Sequence, residues 1–305
     1  MQFSDKFYSD EMIGDFFKFT SPGVNRLDLL KKILEKYGIP YTQIELAGTR
    51  HIVLKFPKDS YSPQFTVKTI LAHYDCVPGS PGANDNGSSV FLLLGAAKNM
   101  MDNPGLYNTR IIFTGNEELV SGQGVKEQGA YPLGLGLKSL GCLDDDIYVL
   151  DCMGRGDTLI LSDVGLYSGG GKILMERNRR IYERAVDICR GLKQSGKESV
   201  FFSLPVPYSD NAGLSAAGLS VQAVTVLPGA EALGFYQAIR NIKGKKPVVF
   251  SREFLEKNTG VKEAYPATWR MINTPRDDIN CLNREAFDLA YSFIWALVTK
   301  KYPVY

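Results

Sequence analysis

TILAHYD (residues 69–75) and IIFTGNEE (residues 111–118) decide the reading of this chain. Each is a short, unbroken apolar run that ends abruptly in ionisable side chains. Such runs mark strands buried on both faces, as in a parallel sheet with helices above and below it. Glu117 and Glu118, adjacent carboxylates at the end of a buried strand, are costly there unless something compensates them. A metal cation or a proton-transfer role is the usual compensation.

Outward from these two runs, the pattern alternates. Residues 24–38 have helical apolar spacing with Gly38 as a C-cap, and 42–56 read as two strands about Gly48-Thr49. Strands are expected at 66–72, 109–114, 146–151, 157–162, near 198–202 and at 221–227. Helices are expected at 87–101, 173–193, 230–241, 251–258 and 283–299, while the Gly/Leu-rich stretch 129–143 reads as a loop or insertion. Short apolar strands alternating with helices predict an α/β fold: a mixed, mostly parallel central sheet with helices on both faces, in one domain over 1–305. In such sheets ligands gather outside the carboxyl ends of the strands, where His73, Glu117, Glu118 and Asp151 all fall.

Bulk properties narrow the function. With 35 Lys+Arg against 33 Asp+Glu the net charge is +2, which argues against a nucleic-acid or membrane-surface binder. No apolar run is long enough to span a bilayer. The N-terminus, MQFSDKFYSDEMIGDFF, mixes acids with aromatics and lacks the basic-then-apolar order of a secretory leader, so a cytoplasmic location is expected. The five cysteines (Cys76, Cys142, Cys152, Cys189, Cys281) are odd in number and not spaced as a zinc finger or disulfide framework. They read as reduced, small apolar residues, including Cys76 and Cys152 beside the proposed site.

The chemistry-bearing motifs form an ordered set: HYDCVPGSPGANDNGSSV (73–90), the Glu117-Glu118 pair, the strand ending in Asp151, and NTPRD (273–277). In this order they resemble the di-zinc aminopeptidase family of metallopeptidases, whose relatives include carboxypeptidases and glutaminyl cyclases. The resemblance covers roughly residues 20–299. It implies a mixed sheet sandwiched by helices, in agreement with the pattern above. It also implies that His73 binds a first metal with Asp151, that Asp85 bridges two metals, and that Glu118 ligates the second. Glu117 would be the general base, and Asp75 would accept the N–H of the His73 imidazole and fix its tautomer. The peptide Asp85-Asn86 becomes a candidate for the cis geometry seen in relatives.

The sequence departs from the family at two places. The late histidine of the second metal position is replaced by Asn273, and a histidine expected after Ser209-Asp210 is replaced by Asn211. The chain has only His51 and His73, and His51 reads as a core residue of a strand. An amide oxygen is a hard, neutral ligand that suits zinc poorly. One tight zinc site (His73, Asp85, Asp151) is therefore expected, beside a second site (Asp85, Glu118, Asn273) that is weak or holds a harder divalent ion. The implied function is metal-dependent hydrolysis of peptide bonds, of the aminopeptidase type, on a peptide or aminoacyl substrate. The alternative is a degenerate member that binds a peptide or small ligand without turnover. Glutaminyl-cyclase-like acyl transfer is disfavoured, because the subset of ligands it uses is the one altered here. Arg155 and Arg276 read as ion-pair residues before substrate clamps, and Tyr208 as a packing residue before a pocket wall.

Overall fold

The computed structural model describes residues 9–119, 122–167, 171–194, 197–198, 200–242 and 252–304. Ten strands are present among them: β1 Tyr41–Leu46, β2 Thr49–Leu54, β3 Lys68–His73, β4 Thr109–Thr114, β5 Asp146–Leu150, β6 Thr158–Ser162, β7 Lys193–Gln194, β8 Lys197–Glu198, β9 Phe201–Leu204 and β10 Val221–Leu227. Eight of these form one mixed sheet in the order β1-β2-β4-β3-β5-β10-β6-β9. The four central strands β4, β3, β5 and β10 run parallel, β1 and β2 join antiparallel to their neighbours, and β6 is antiparallel to β10 and parallel to β9. The expected α/β class and mixed sheet are what the chain adopts. The expected strand at 198–202 starts later, at Phe201, and its residue 199 lies outside the described residues, as does residue 251 of the expected helix 251–258.

Both faces of the sheet are covered. The helices are α1 Asp10–Phe19, α2 Arg26–Lys36, α3 Ser89–Asp102, α4 Ala130–Ser139, α5 Lys172–Gly191, α6 Asp210–Ala216, α7 Gly229–Arg240, α8 Arg252–Lys257, α9 Thr259–Glu263, α10 Ala267–Met271 and α11 Arg284–Thr299. Alternate residues of each central strand feed opposite cores, as the two-residue period of a strand requires. Ile70, Ile111 and Phe113 pack with Phe16, Phe91 and Phe287 of α1, α3 and α11. Leu71 and Ile112 pack with Leu133, Leu214, Phe235 and Trp269 of α4, α6, α7 and α10 on the other side. Two-sided burial explains why these strands are apolar throughout rather than alternating.

Five helices, α1, α4, α6, α9 and α10, have no counterpart in the sequence reading, and α4 and α1 show why. Residues 129–143 are not a loop but contain α4. Glycine was read there as a breaker, whereas Gly134 serves close packing: a Cβ added to it would lie 2.7 Å from Ala217 Cβ, just past α6. α1 went unread, although Ser9 caps it by accepting from the Met12 N–H and Met12, Phe16 and Phe19 are buried at helical spacing. Among the described residues no helix is long and apolar enough to cross a membrane.

The topology places the site. β3 lies between β4 and β5, so the chain leaves it in one direction and later returns on its other side. A crevice opens at the carboxyl ends of strands at such a switch point. His73 is the last residue of β3, and Asp151 immediately follows β5.

Candidate metal and catalytic centre

His73 is 1 % exposed, and its Nε2 faces three carboxylates. Asp85 Oδ1 lies at 3.1 Å, Asp151 Oδ1 at 3.8 Å and Glu117 Oε2 at 4.0 Å. Two overlapping sets, His73–Asp85–Asp151 and His73–Glu117–Glu118, each bring their ligand atoms within 4.8 Å of one another. Residues far apart in the chain thus meet where the strand ends converge. Arg155, Arg276 and His51 do not join the cluster in this way. Arg155 donates to Thr268 Oγ1 and the Cys281 carbonyl, Arg276 is exposed, and buried His51 accepts from the Gly115 N–H. Tyr208 is 54 % exposed and lines the cleft over the cluster, so the packing reading of it does not hold.

Each side chain is held by a local framework. Asp75 differs from expectation: His73 Nδ1 is nearest its backbone oxygen, at 3.2 Å, and 3.7 Å from its carboxylate. The reason is that Asp75 Oδ2 accepts the N–H groups of both Glu117 and Glu118, at 3.0 and 3.1 Å. One carboxylate therefore organises the end of β3 and the turn after β4 together. Its pKa lies below the ordinary value: burial opposes this, but His73 and the two N–H donors outweigh it.

Asp85 sits in an irregular turn of helix, 83–88, and the peptide between Asp85 and Asn86 is cis. Asp277 clamps this turn by accepting from the Asn84 and Asp85 N–H groups at 2.8 and 3.1 Å. Asn86 Nδ2 donates to the Leu150 carbonyl, and Asn86 Oδ1 accepts from Cys152 N–H. The turn bearing Asp85 is thereby stitched to the end of β5 bearing Asp151. Cys152 has φ +55°, a left-handed conformation costly for a residue with a Cβ, and its carbonyl is held by Thr225 Oγ1 and the Val226 N–H. Buried Arg26 closes the framework by donating to the carbonyls of Tyr74, Asp75, Pro81 and Gly82. Gly82, at φ +54°, admits that guanidinium where a Cβ would lie 2.7 Å from its Nη2.

Two further residues serve the site without having been singled out as part of it. Gln128 Nε2 donates to Glu117 Oε1 at 3.0 Å, while its own oxygen accepts from the Gly213 N–H. Gln128 lies just before the stretch 129–143 and outside every element expected from the sequence, so its placement had no sequence signal. Asp277 lay inside the recognised NTPRD run, but its clamping of the cis turn is visible only in three dimensions. Asp210 is fully buried, accepts from Thr114 Oγ1 and leaves its Oδ1 unpartnered.

The cluster carries more negative charge than the described residues neutralise. Burial, joined by the charges of Asp210, Asp151 and Glu118, pushes Glu117 well above the ordinary carboxyl range. Burial and the Asp85 charge push Glu118 up to about 8. Burial lowers His73, but Glu117 and the neighbouring acids outweigh it and hold the imidazole well above its usual pKa. Buried polar atoms without partners point into the same space: His73 Nε2, Asp151 Oδ1 and Glu118 Oε1. The converging imidazole and two carboxylates of His73, Asp85 and Asp151, with His73 Nε2 and Asp151 Oδ1 lacking hydrogen-bond partners, fit a dication at the first position. The second position does not fit a metal in the same way. Asn273 Nδ2 donates to Glu118 Oε2 at 3.0 Å, and a neutral amide is a weaker zinc ligand than an imidazole. The cleft over the cluster has about 60 Å³ of enclosed space, and Val206, Ala223, Trp269 and Ile272 form its apolar wall.

Comparison with known proteins agrees with this geometry. Residues 51–136 match the model of peptidase family M28. A stretch of 68 residues, 22 % of this chain, is 44 % identical to Aminopeptidase YwaD of Bacillus subtilis, and covers only 14 % of that protein. The fold resembles a Zn-dependent exopeptidase from Parabacteroides distasonis (16 % identity, TM-score 0.63, 96 % of this chain and 99 % of that one). It also resembles glutaminyl cyclase from Porphyromonas gingivalis (17 % identity, TM-score 0.59, again 96 % and 99 %). The segment 51–136, which carries His73, Asp75, Asp85, Glu117 and Glu118, is thus similar in sequence to peptidase family M28, and the chain as a whole has the fold shared by zinc exopeptidases and glutaminyl cyclases.

Proposed function

We propose that the chain is a metal-dependent peptidase of the aminopeptidase type, acting on a peptide or aminoacyl substrate. The observation that carries this reading is the convergence of His73, Asp85 and Asp151 beside Glu117, with orphaned ligand atoms turned towards one another. His73, Asp85 and Asp151 would hold one zinc ion. When bound, the dication polarises the scissile carbonyl and acidifies water. Glu117 takes a proton from the attacking water and passes it to the leaving amine. Gln128 fixes one oxygen of Glu117, which leaves Oε2 to move the proton on the His73 side. Asp75 holds the backbone of Glu117 and Glu118, so the base keeps its direction while its protonation changes. The apolar wall of the cleft favours an uncharged side chain on the substrate.

A second reading has one observation in its favour. The hydrogen bond from Asn273 to Glu118 occupies part of the second metal position, as in a descendant that binds a peptide without turnover. A panel of aminoacyl chromogenic amides, assayed with Zn²⁺, Mn²⁺ and Co²⁺ for the wild type and Glu117→Gln, separates the two. Turnover abolished by Glu117→Gln supports the peptidase; ligand binding without turnover under any metal supports the binder.

A further inference from the structure

His51 is the one histidine outside the cluster, and it is fully buried in β2. A buried imidazole costs more than an apolar side chain unless its nitrogens find partners. The partner here lies where β4 leaves the sheet. The ladder between β2 and β4 pairs Ile52 with Phe113 and Val53 with Ile112, and β4 ends at Thr114. The next residue, Gly115, is buried, and among the described residues its N–H has the His51 ring as acceptor, at 3.5 Å from Nδ1. A side chain thus takes the hydrogen bond that the strand backbone no longer offers. Burial pushes the His51 pKa down to about 4, so the ring is neutral, and an Nδ1 that accepts leaves the proton on Nε2.

The turn held in this way is the one that aims Glu117. Asn116, between Gly115 and Glu117, has φ +57°, a left-handed conformation that a residue with a Cβ enters at a cost. It stays there only while the chain is fixed on both sides of it. After Asn116, Asp75 accepts the Glu117 and Glu118 N–H groups. Before it, β2 supplies the hold. Tyr74 Oη donates to the Arg50 carbonyl at 2.8 Å, and a Cβ on Gly115 would lie 2.8 Å from that same carbonyl oxygen. The turn is therefore pressed against the β2 backbone, with His51 Nδ1 as its hydrogen-bond acceptor there. We infer that His51 is a positioning residue for the general base: by holding the Gly115 N–H it fixes the direction in which the chain leaves β4, and with it the placement of Glu117 beside His73. The inference deepens the peptidase reading and rests on it for the role of Glu117, whereas the bond between His51 and Gly115 does not depend on it.

The test reads the bond and its catalytic effect separately. The chain has two histidines, so isotope labelling of histidine gives two ring signals in NMR, and the one absent from His51→Gln belongs to His51. At neutral pH that ring is expected in the neutral form protonated at Nε2. His51→Phe keeps a ring of similar size without an acceptor, and His51→Gln restores an acceptor through its amide oxygen. Exchange of the Gly115 amide proton is expected to be slow in the wild type and in His51→Gln, and about tenfold faster or more in His51→Phe. With zinc and an aminoacyl chromogenic amide, kcat of His51→Phe is expected to fall roughly ten- to a hundredfold while KM and zinc affinity change little, and His51→Gln is expected to recover most of the loss. A His51 ring protonated at Nδ1, equal Gly115 exchange in all three proteins, equal loss of kcat in both variants, or an unchanged kcat in His51→Phe would overturn the inference. Should His51→Phe fail to fold, the ring tautomer of the wild type and the kcat of His51→Gln decide in its place. A wild type without turnover under any metal would remove the peptidase reading, and the tautomer and the Gly115 exchange would still decide whether His51 holds the turn.

Discussion

At the scale of single residues, neighbours in sequence take different roles because their surroundings differ. Glu117 is 9 % exposed and faces His73 and Gln128, whereas Glu118 turns towards Asp85 and Asn273. Burial and like charges raise both carboxyls above their ordinary range, the direction that makes a carboxyl a stronger base. Replacing Glu117 by Gln keeps its shape and its contact with Gln128 but removes the base. Hydrolysis is expected to fall by roughly 10²–10⁴-fold, with zinc affinity at the first position preserved; steady-state kinetics and a zinc competition titration check the two halves separately. His73→Ala removes the one imidazole of the cluster, and no other histidine can replace it, since His51 lies in β2 with its ring bonded to the Gly115 N–H. Zinc binding is expected to be lost in that variant, as equilibrium dialysis would show.

At the scale of elements, the site depends on how closely α4 and α6 approach each other. Gln128, just before α4, bonds to Glu117 and to the Gly213 N–H inside α6, so the two helices and the base form one unit. Gly134 allows the approach, since a Cβ there would come within 2.7 Å of the Ala217 Cβ. Gly134→Ala gains helix propensity in isolation. In this packing it is expected to destabilise the protein by about 1–3 kcal/mol through overpacking. A denaturant titration measures the loss, and a stabilised variant would mean that α4 shifts freely. α3 shows the opposite logic: from Ser89 to Ala97 it is buried all round, so its amphipathic moment is weak and its apolar run is its main sequence signal.

At the scale of the whole molecule, ligand and proton linkage make stability depend on conditions. A zinc ion that binds only the folded chain at 100 times its Kd adds about 2.7 kcal/mol. For a chain of this size chelation is then expected to lower the melting temperature by roughly 4 °C, as calorimetry with and without chelator would reveal. Lys68 supplies a separate linkage far from the site. It opens β3, is fully buried, and donates through Nζ to the carbonyls of Val298 and Lys300, tying the central sheet to the end of α11. Burial lowers its pKa to about 7, against about 10.4 in an unfolded chain. Between these values the unfolded chain binds more protons, so this residue makes stability rise with pH across that window and level off at either side. Relative to Lys68→Met, wild-type protein is expected to gain on the order of 1–3 kcal/mol between about pH 6.5 and about pH 9.5. Urea unfolding at the two pH values tests this, and a constant difference would mean that Lys68 stays charged throughout.

The sequence by itself determined the fold class and singled out most of the ionisable side chains that meet at the strand ends. Apolar runs buried on both faces cannot alternate, helices between parallel strands keep their own period, and carboxylates at strand ends stand out because burial there is so costly. It also singled out Asn273, at the place where the resemblance leads to the expectation of a histidine. Only the tertiary structure decided what Asn273 does, that Asp75 spends its carboxylate on the Glu117 and Glu118 N–H groups, and that Gln128, Asp277 and Arg26 hold the site in place. Those roles have no local signature. Apart from Gln128 and Glu117, which are 11 positions apart, these bonds join residues 42 to 193 positions apart and depend on which strand lies beside which, and glycine reads as a breaker until a neighbouring helix needs the space of its missing side chain.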